Sequence, residues 1–267
     1  MNQVKIILMD WIGYPLQRRR RMGRKKHVCG LGPLLENLQA YEPGIGFDLM
    51  LIINSVLSES KPIFRRFPAL IKQRQWQVKR RKARYAKLKQ QYPIVSTLIF
   101  RESNMGKDIG AYDFGFNELK KQGYEGDVVF MNSNVRGPSS DDWLKKYHHL
   151  FHRQENVGLC GITMNSHNTP RKSDPFAPHI QSFFLYGNMK IFRYVFPDGF
   201  PGALWMGDKD LLIEKGEICI SSAILDAGYS ICCRAFPNFY YHKGGLWDIP
   251  EGDLRNKPEF QEFVNKL

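Results

Sequence analysis

Val95-Ser-Thr-Leu-Ile-Phe100 runs into Arg101-Glu-Ser-Asn-Met-Gly-Lys-Asp-Ile-Gly-Ala-Tyr-Asp113. Asp127-Val-Val-Phe-Met131 runs into Asn132-Ser-Asn-Val-Arg-Gly-Pro138. Each is an apolar run of strand length that ends in a polar loop containing glycine, and between them 110–122 has a helical pattern. Working outward, further strands are predicted at Val4–Met9, Asp48–Ile53, Val157–Ile162, Gln181–Tyr186 and Ser230–Cys233. Helices are predicted at about 31–41, 67–90, 110–122, 141–153 and 216–227, with Gly228 placed as a C-terminal cap. Strands alternating with helices predict an α/β fold with a mostly parallel sheet flanked by helices, Rossmann-like in type. In such sheets ligands bind at the carboxyl ends of the strands, where this chain concentrates its polar residues: Asn54-Ser55, 101–113 and 132–138.

The chain has 267 residues, with 39 Lys and Arg against 26 Asp and Glu, and 43% hydrophobic residues. That is enough for one sizeable core, and the chain is expected to form a single domain, 1–267. Its charge is localised. Segment 18–26 holds seven basic residues, and 61–90 holds twelve with no acid; without these nineteen, 20 bases face 26 acids. Segment 61–90 reads as one long basic amphipathic helix or two shorter ones, inserted in the fold. It could be a solvated insertion or adsorb to an anionic membrane surface, with Trp76 and Tyr85 settling at the interface. No zinc-finger, helix-turn-helix or aromatic RNA-binding signature accompanies the charge, so nucleic acid is not an expected partner. No apolar run approaches the length of a membrane span, and five cysteines without metal-ligand spacing fit a reducing, cytoplasmic setting, peripheral to a membrane at most.

The order of these pieces resembles the nucleotide-binding half of a GT-A glycosyltransferase. More narrowly, it is similar to the rhamnan synthesis F-like glycosyltransferases of surface-polysaccharide pathways. Asn104-Met-Gly-Lys-Asp-Ile-Gly-Ala-Tyr-Asp113 and Val129-Phe-Met-Asn-Ser-Asn-Val-Arg-Gly-Pro138 bear the likeness. Pro178-His-Ile-Gln-Ser-Phe-Phe184 and Glu217-Ile-Cys-Ile-Ser-Ser-Ala-Ile-Leu-Asp-Ala-Gly-Tyr229 extend it over about 95–245. Segments 14–26 and 61–90 look like additions to that pattern. The resemblance implies a nucleotide-binding half, 1–140, and an acceptor-binding, catalytic half, 141–267.

It also implies a nucleotide-sugar donor held by Asn54, Asn104, Gly106, Asp108, Asn132, Asn134 and Arg136, with His242 and Lys243 at the departing diphosphate. The acceptor would be a glycan or a lipid-linked glycan. Where relatives place the aspartates of a metal site, this chain has Asn132 and Asn134. A neutral carbonyl oxygen is a poorer ligand for manganese or magnesium than a carboxylate, so the expectation is a weak metal site (Asn134 and His242) or metal-independent transfer.

His179 and Gln181 share a face of their expected strand, and Trp205 or Trp247 could stack on a sugar ring. These are acceptor-side candidates, and His179 is equally readable as a structural hydrogen-bonding residue. Glu217 would open a helix, where alone it reads as a first-turn charge; the resemblance implies that it is the base of an inverting transfer, with Glu214 and Asp210 as alternatives. The competing expectation is a non-catalytic, polybasic peripheral protein that binds anionic membrane or nucleic acid through a degenerate transferase core.

Overall fold

The computed structural model describes residues 3–22, 25–55, 68–167, 175–206 and 209–249. Residues 61–67, Arg24, the Asp210 side chain and 168–174 lie outside these; the sequence reads 165–178 as one long loop, but its described flanks belong to the paired strands β8 and β9. In chain order the elements are β1 (Val4–Trp11), β2 (Arg18–Met22), β3 (Lys25–Cys29), α1 (Leu31–Ala40), β4 (Phe47–Asn54), α2 (Pro68–Ala86), α3 (Leu88–Gln91) and β5 (Val95–Arg101). Then follow α4 (Lys107–Lys121), β6 (Asp127–Asn132), α5 (Trp143–His152), β7 (Val157–Gly161), β8 (Met164–His167), β9 (Phe176–Ile180), β10 (Phe184–Asn188) and α6 (Met189–Val195). The last elements are α7 (Lys209–Leu212), a π-helical turn (Ile213–Ile218), α8 (Cys219–Asp226), β11 (Ser230–Cys233) and β12 (Phe236–Tyr241).

The central sheet has eight strands in the order β12-β11-β7-β10-β6-β1-β4-β5. β5, β4, β1 and β6 pair in parallel, and so do β7 and β11. Only β10 and β12 run against their neighbours. The fold is therefore α/β with a mostly parallel central sheet, as the sequence predicts. β1 explains why the sheet lies in the middle. Ile6 and Leu8 enter the core on one face with Leu34, Leu38, Leu51 and Trp143, while Ile7 and Met9 enter the other with Ile52, Tyr112 and Phe116. A strand apolar on both faces needs cover on both, and helices supply it.

Two departures matter. Gln181–Tyr186 is not one strand: residues 181–183 form a turn, and β10 begins at Phe184. Segment 61–90 is not simply a solvated insertion. Within it α2 and α3 are separate helices, and Tyr85 and Leu88 are each 1% exposed in the core. The Arg81 guanidinium also donates to the Ile12 carbonyl at 2.7 Å, and Lys82 pairs with Glu102 at 3.0 Å. Tyr85 is thus unavailable to a membrane, whereas Trp76 is 59% exposed. Among the described residues no helix is long and apolar enough to cross a membrane.

Candidate active site

At the carboxyl edge of the sheet lies a cavity of about 350 Å³. Its walls come from segments distant in sequence: Asp10 and Trp11 at the end of β1 with Tyr14 beyond it, Asn104, Lys107 and Asp108 at the start of α4, and Ser133 and Asn134 after β6. Ser182, Leu212, Ile213 and Glu217 close it from the second half. Its size falls within the range of small-molecule sites, and it sits where a parallel sheet offers its strand ends.

One hydrogen-bonded group links the two halves. The Ser182 hydroxyl lies 2.8 Å from Glu217 Oε1 and 3.3 Å from Asp108 Oδ2. Asn132 Nδ2 donates to the same Asp108 oxygen at 2.9 Å, and the Tyr112 hydroxyl fixes Ser182 by donating to its carbonyl at 2.9 Å. Ser182 has a single proton, so it donates mainly to the nearer Glu217 oxygen and stands between the two carboxylates.

Glu217 does not open a helix, as the sequence led us to expect. Helix begins at Lys209, widens into the π-helical turn and continues as α8, so Glu217 sits inside the run. A dipole contact at a free helix start therefore does not account for it. π-turns are rare and recur at functional sites because they re-aim side chains. Glu214 is exposed and pairs with Lys215 at 3.0 Å, away from the cavity.

The loop into α4 is fixed from below. Buried Asn54 donates to Asn104 Oδ1 at 3.1 Å and to the Lys107 carbonyl at 2.9 Å. Asn54 thus positions the loop and does not itself line the cavity. Gly106 has φ 64°, its N–H donates to the Trp205 carbonyl at 2.8 Å, and a Cβ there would meet the Ala203 oxygen at 2.1 Å. A side chain has no room at that turn.

Asn132 is tied down as well. Its oxygen accepts from the Asn134 N–H at 3.0 Å while its amide nitrogen holds Asp108. The Asn132 amide group therefore offers a hard cation at most one neutral oxygen that already accepts a hydrogen bond, a poorer ligand for manganese or magnesium than a carboxylate.

Several sequence candidates stand elsewhere. Arg136 is exposed and outside the lining, and its carbonyl accepts from Asn37. His242 and Lys243 are exposed, with Lys243 paired to Asp226 at 2.6 Å. His179 is buried, bonded to the Ala177 carbonyl at 2.7 Å, and burial lowers its pKa. Gln181 accepts from Thr163 Oγ1 at 2.6 Å. Trp205 packs on the core behind the Gly106 loop, and Trp247 lies edge-on to Phe176, Phe239 and Tyr241.

Sequence reading missed the wall formed after β1. Asp10 is buried and accepts from the Tyr85 hydroxyl at 2.6 Å and from Ser133 Oγ, and desolvation raises its pKa. Arg18 donates to the Ser133 carbonyl at 3.2 Å and lies over the Tyr14 ring at 4.0 Å. The one signal available was a carboxylate ending an otherwise apolar strand.

Residues 79–231 match the family described as Rhamnan synthesis protein F. The chain belongs to that family. Among curated proteins nothing matches it. The family match runs from Lys79 in α2 to Ile231 in β11, so the docked end of α2 is within the family pattern and is no addition to it. The match also spans Asn104, Lys107, Asp108, Ser133, Asn134, Ser182 and Glu217, while the wall of Asp10, Trp11 and Tyr14 precedes it.

Proposed function

We propose that this member of the rhamnan synthesis protein F family is a GT-A-type glycosyltransferase of polysaccharide synthesis. It would move a sugar from a nucleotide-sugar donor to a hydroxyl of a glycan or lipid-linked acceptor, with inversion. The observation behind this reading is the Asp108–Ser182–Glu217 group on the wall of a cavity at the carboxyl edge of the sheet. The family's name supports the polysaccharide setting.

In this reading Trp11 and Tyr14 take the base, and Asn104, Asp108 and Asn134 take the polar parts of the donor. The Glu217 carboxylate accepts the acceptor's proton as that oxygen bonds to the anomeric carbon. The bond from that carbon to the diphosphate breaks on the opposite face, and its electron pair leaves with the phosphate oxygen. Lys107 and the positive end of α4 meet the charge that develops there. Asp108, with Asn132, holds Ser182, and Ser182 holds Glu217 in line. Because the Asn132 side chain is engaged by the Asn134 N–H and by Asp108, and carboxamides stand where carboxylates would bind a cation, we propose that transfer proceeds without a resident divalent ion.

Release of nucleoside diphosphate from a panel of nucleotide sugars, assayed in EDTA and in manganese, tests the reading. Turnover of one donor that persists in EDTA is expected. Turnover only with manganese would overturn the metal-independent step, and no turnover of any donor with any tested acceptor would count against the transferase reading.

A further inference from the structure

At the opposite edge of the sheet a second polar cluster is not used by the proposed reaction. Asp127 opens β6, and α5 brings His148 and His152, one turn apart on the same face, over it. His148 Nδ1 lies 3.1 Å and His152 Nε2 2.7 Å from the same carboxylate oxygen, Asp127 Oδ2. The ligand atoms of the three residues all lie within 4.8 Å of one another. We infer that Asp127, His148 and His152 form a binding site for one divalent transition-metal ion of the zinc class, which clamps α5 to the β6–β10 edge.

Geometry, crowding and access favour this. Two ligand atoms each about 2.0–2.1 Å from a tetrahedral ion stand roughly 3.3 Å apart; the two imidazole nitrogens lie 3.1 and 2.7 Å from Asp127 Oδ2 and within 4.8 Å of each other, so a small side-chain shift, largest at His152, would admit an ion. Three polar atoms crowd Asp127 Oδ2: the Tyr186 hydroxyl donates to it at 2.7 Å, and both imidazole nitrogens face it, with His148 Nδ1 also 3.0 Å from the Tyr186 hydroxyl. One carboxylate oxygen offers about two lone pairs. An ion in place of the imidazole protons would leave Tyr186, with Asn188 on Oδ1 at 2.9 Å, to orient the carboxylate, the outer hydrogen bonding that metal sites use. The His148 and His152 side chains are 36% and 46% exposed, so an ion could enter and water complete its shell, while Asp127 is only 10% exposed. Two imidazoles and one carboxylate suit zinc, cobalt or nickel better than the oxygen-seeking magnesium or calcium.

The test is a zinc titration of the chelator-stripped chain against a competing indicator dye. One saturable equivalent is expected, together with a zinc-dependent rise in melting temperature. His148→Ala and His152→Ala should each weaken binding at least tenfold. His152→Gln, which keeps a hydrogen bond to Asp127, provides a variant with less disturbance to the fold. It too should lose zinc affinity while keeping the metal-free melting temperature. Cobalt in the unaltered chain should show weak visible bands with no thiolate charge-transfer band. No saturable zinc binding, binding unchanged in the variants, or a thiolate band placing the ion on cysteines would each overturn the site.

Discussion

Glu217 and Ser182 are the side chains on which the proposed chemistry turns, and they make separable demands. Glu217→Gln keeps the shape and a hydrogen bond to Ser182 but removes the basic oxygen. We expect turnover to fall by about 10²–10⁴-fold, the usual worth of a general base, with donor affinity within a few-fold of the parent. Stopped-assay rates alongside donor titrations would show it, and turnover near the parental level would exclude Glu217 as the base. Ser182→Ala leaves the carboxylate in place but unheld. Its expected effect is a smaller loss, roughly tenfold, in kcat with little change in KM. A change confined to KM would instead make Ser182 a substrate contact. Asp108 lies between these roles, bonded to Asn132 and Ser182 while lining the cavity.

At the scale of elements, α2 has two faces with different tasks. Tyr85, Arg81 and Lys82 dock it against the end of β1 and the loop after β5. Tyr85→Phe would leave the buried Asp10 carboxylate short of a donor and should cost about 1–3 kcal/mol, measured by chemical denaturation. A loss within error would mean that Ser133 and Arg18 suffice to satisfy it. The other face, with Trp76, Lys79, Arg80 and Arg84, is exposed, as is Lys87 just beyond it. We propose that this face attaches the protein to anionic membrane surfaces. Co-sedimentation with anionic vesicles should fall when Lys79, Arg80, Arg84 and Lys87 are neutralised, and should weaken with salt as screening shortens the electrostatic reach to about 8 Å. Equal sedimentation with neutral vesicles would count against it. Hydropathy hid this division, because a basic helix looks the same in sequence whether Tyr85 is buried or exposed. It also hid the π-helical turn, since a period read as 3.6 residues does not mark one extra residue in the turn at Glu217.

For the whole molecule, the strands that position the cavity were legible because β1, β4 and β6 are apolar on both faces and carry a polar residue at or near the carboxyl end. Asn104, Asp108, Asn134 and Glu217 were found for the same reason: each follows a strand or flanks a patterned helix, and all four line one cavity. Asn54, Asn132 and Gly106 lay in the expected places, but their side-chain bonds or backbone turn a loop toward the cavity, which spacing alone cannot distinguish from ligand contact. Asp10 and Ser182 escaped notice because each gains its place through long-range partners, Tyr85 and Ser133 for one, Glu217 and Asp108 for the other. Arg136, His242 and Lys243 drew attention as cations near family motifs, but among the described residues the cation on the cavity wall is Lys107.

That residue provides the most direct test of the central claim, that the cavity at the carboxyl edge binds a nucleoside diphosphate sugar. The measurement is a calorimetric titration of the intact chain and of Lys107→Ala with a panel of nucleoside diphosphates and their sugars, in EDTA. The account predicts saturable one-site binding of one nucleotide class, weakened about tenfold or more by the substitution, as expected for the loss of a charge-assisted phosphate contact. Absence of binding by every nucleotide, or binding that Lys107→Ala leaves unchanged, would contradict it.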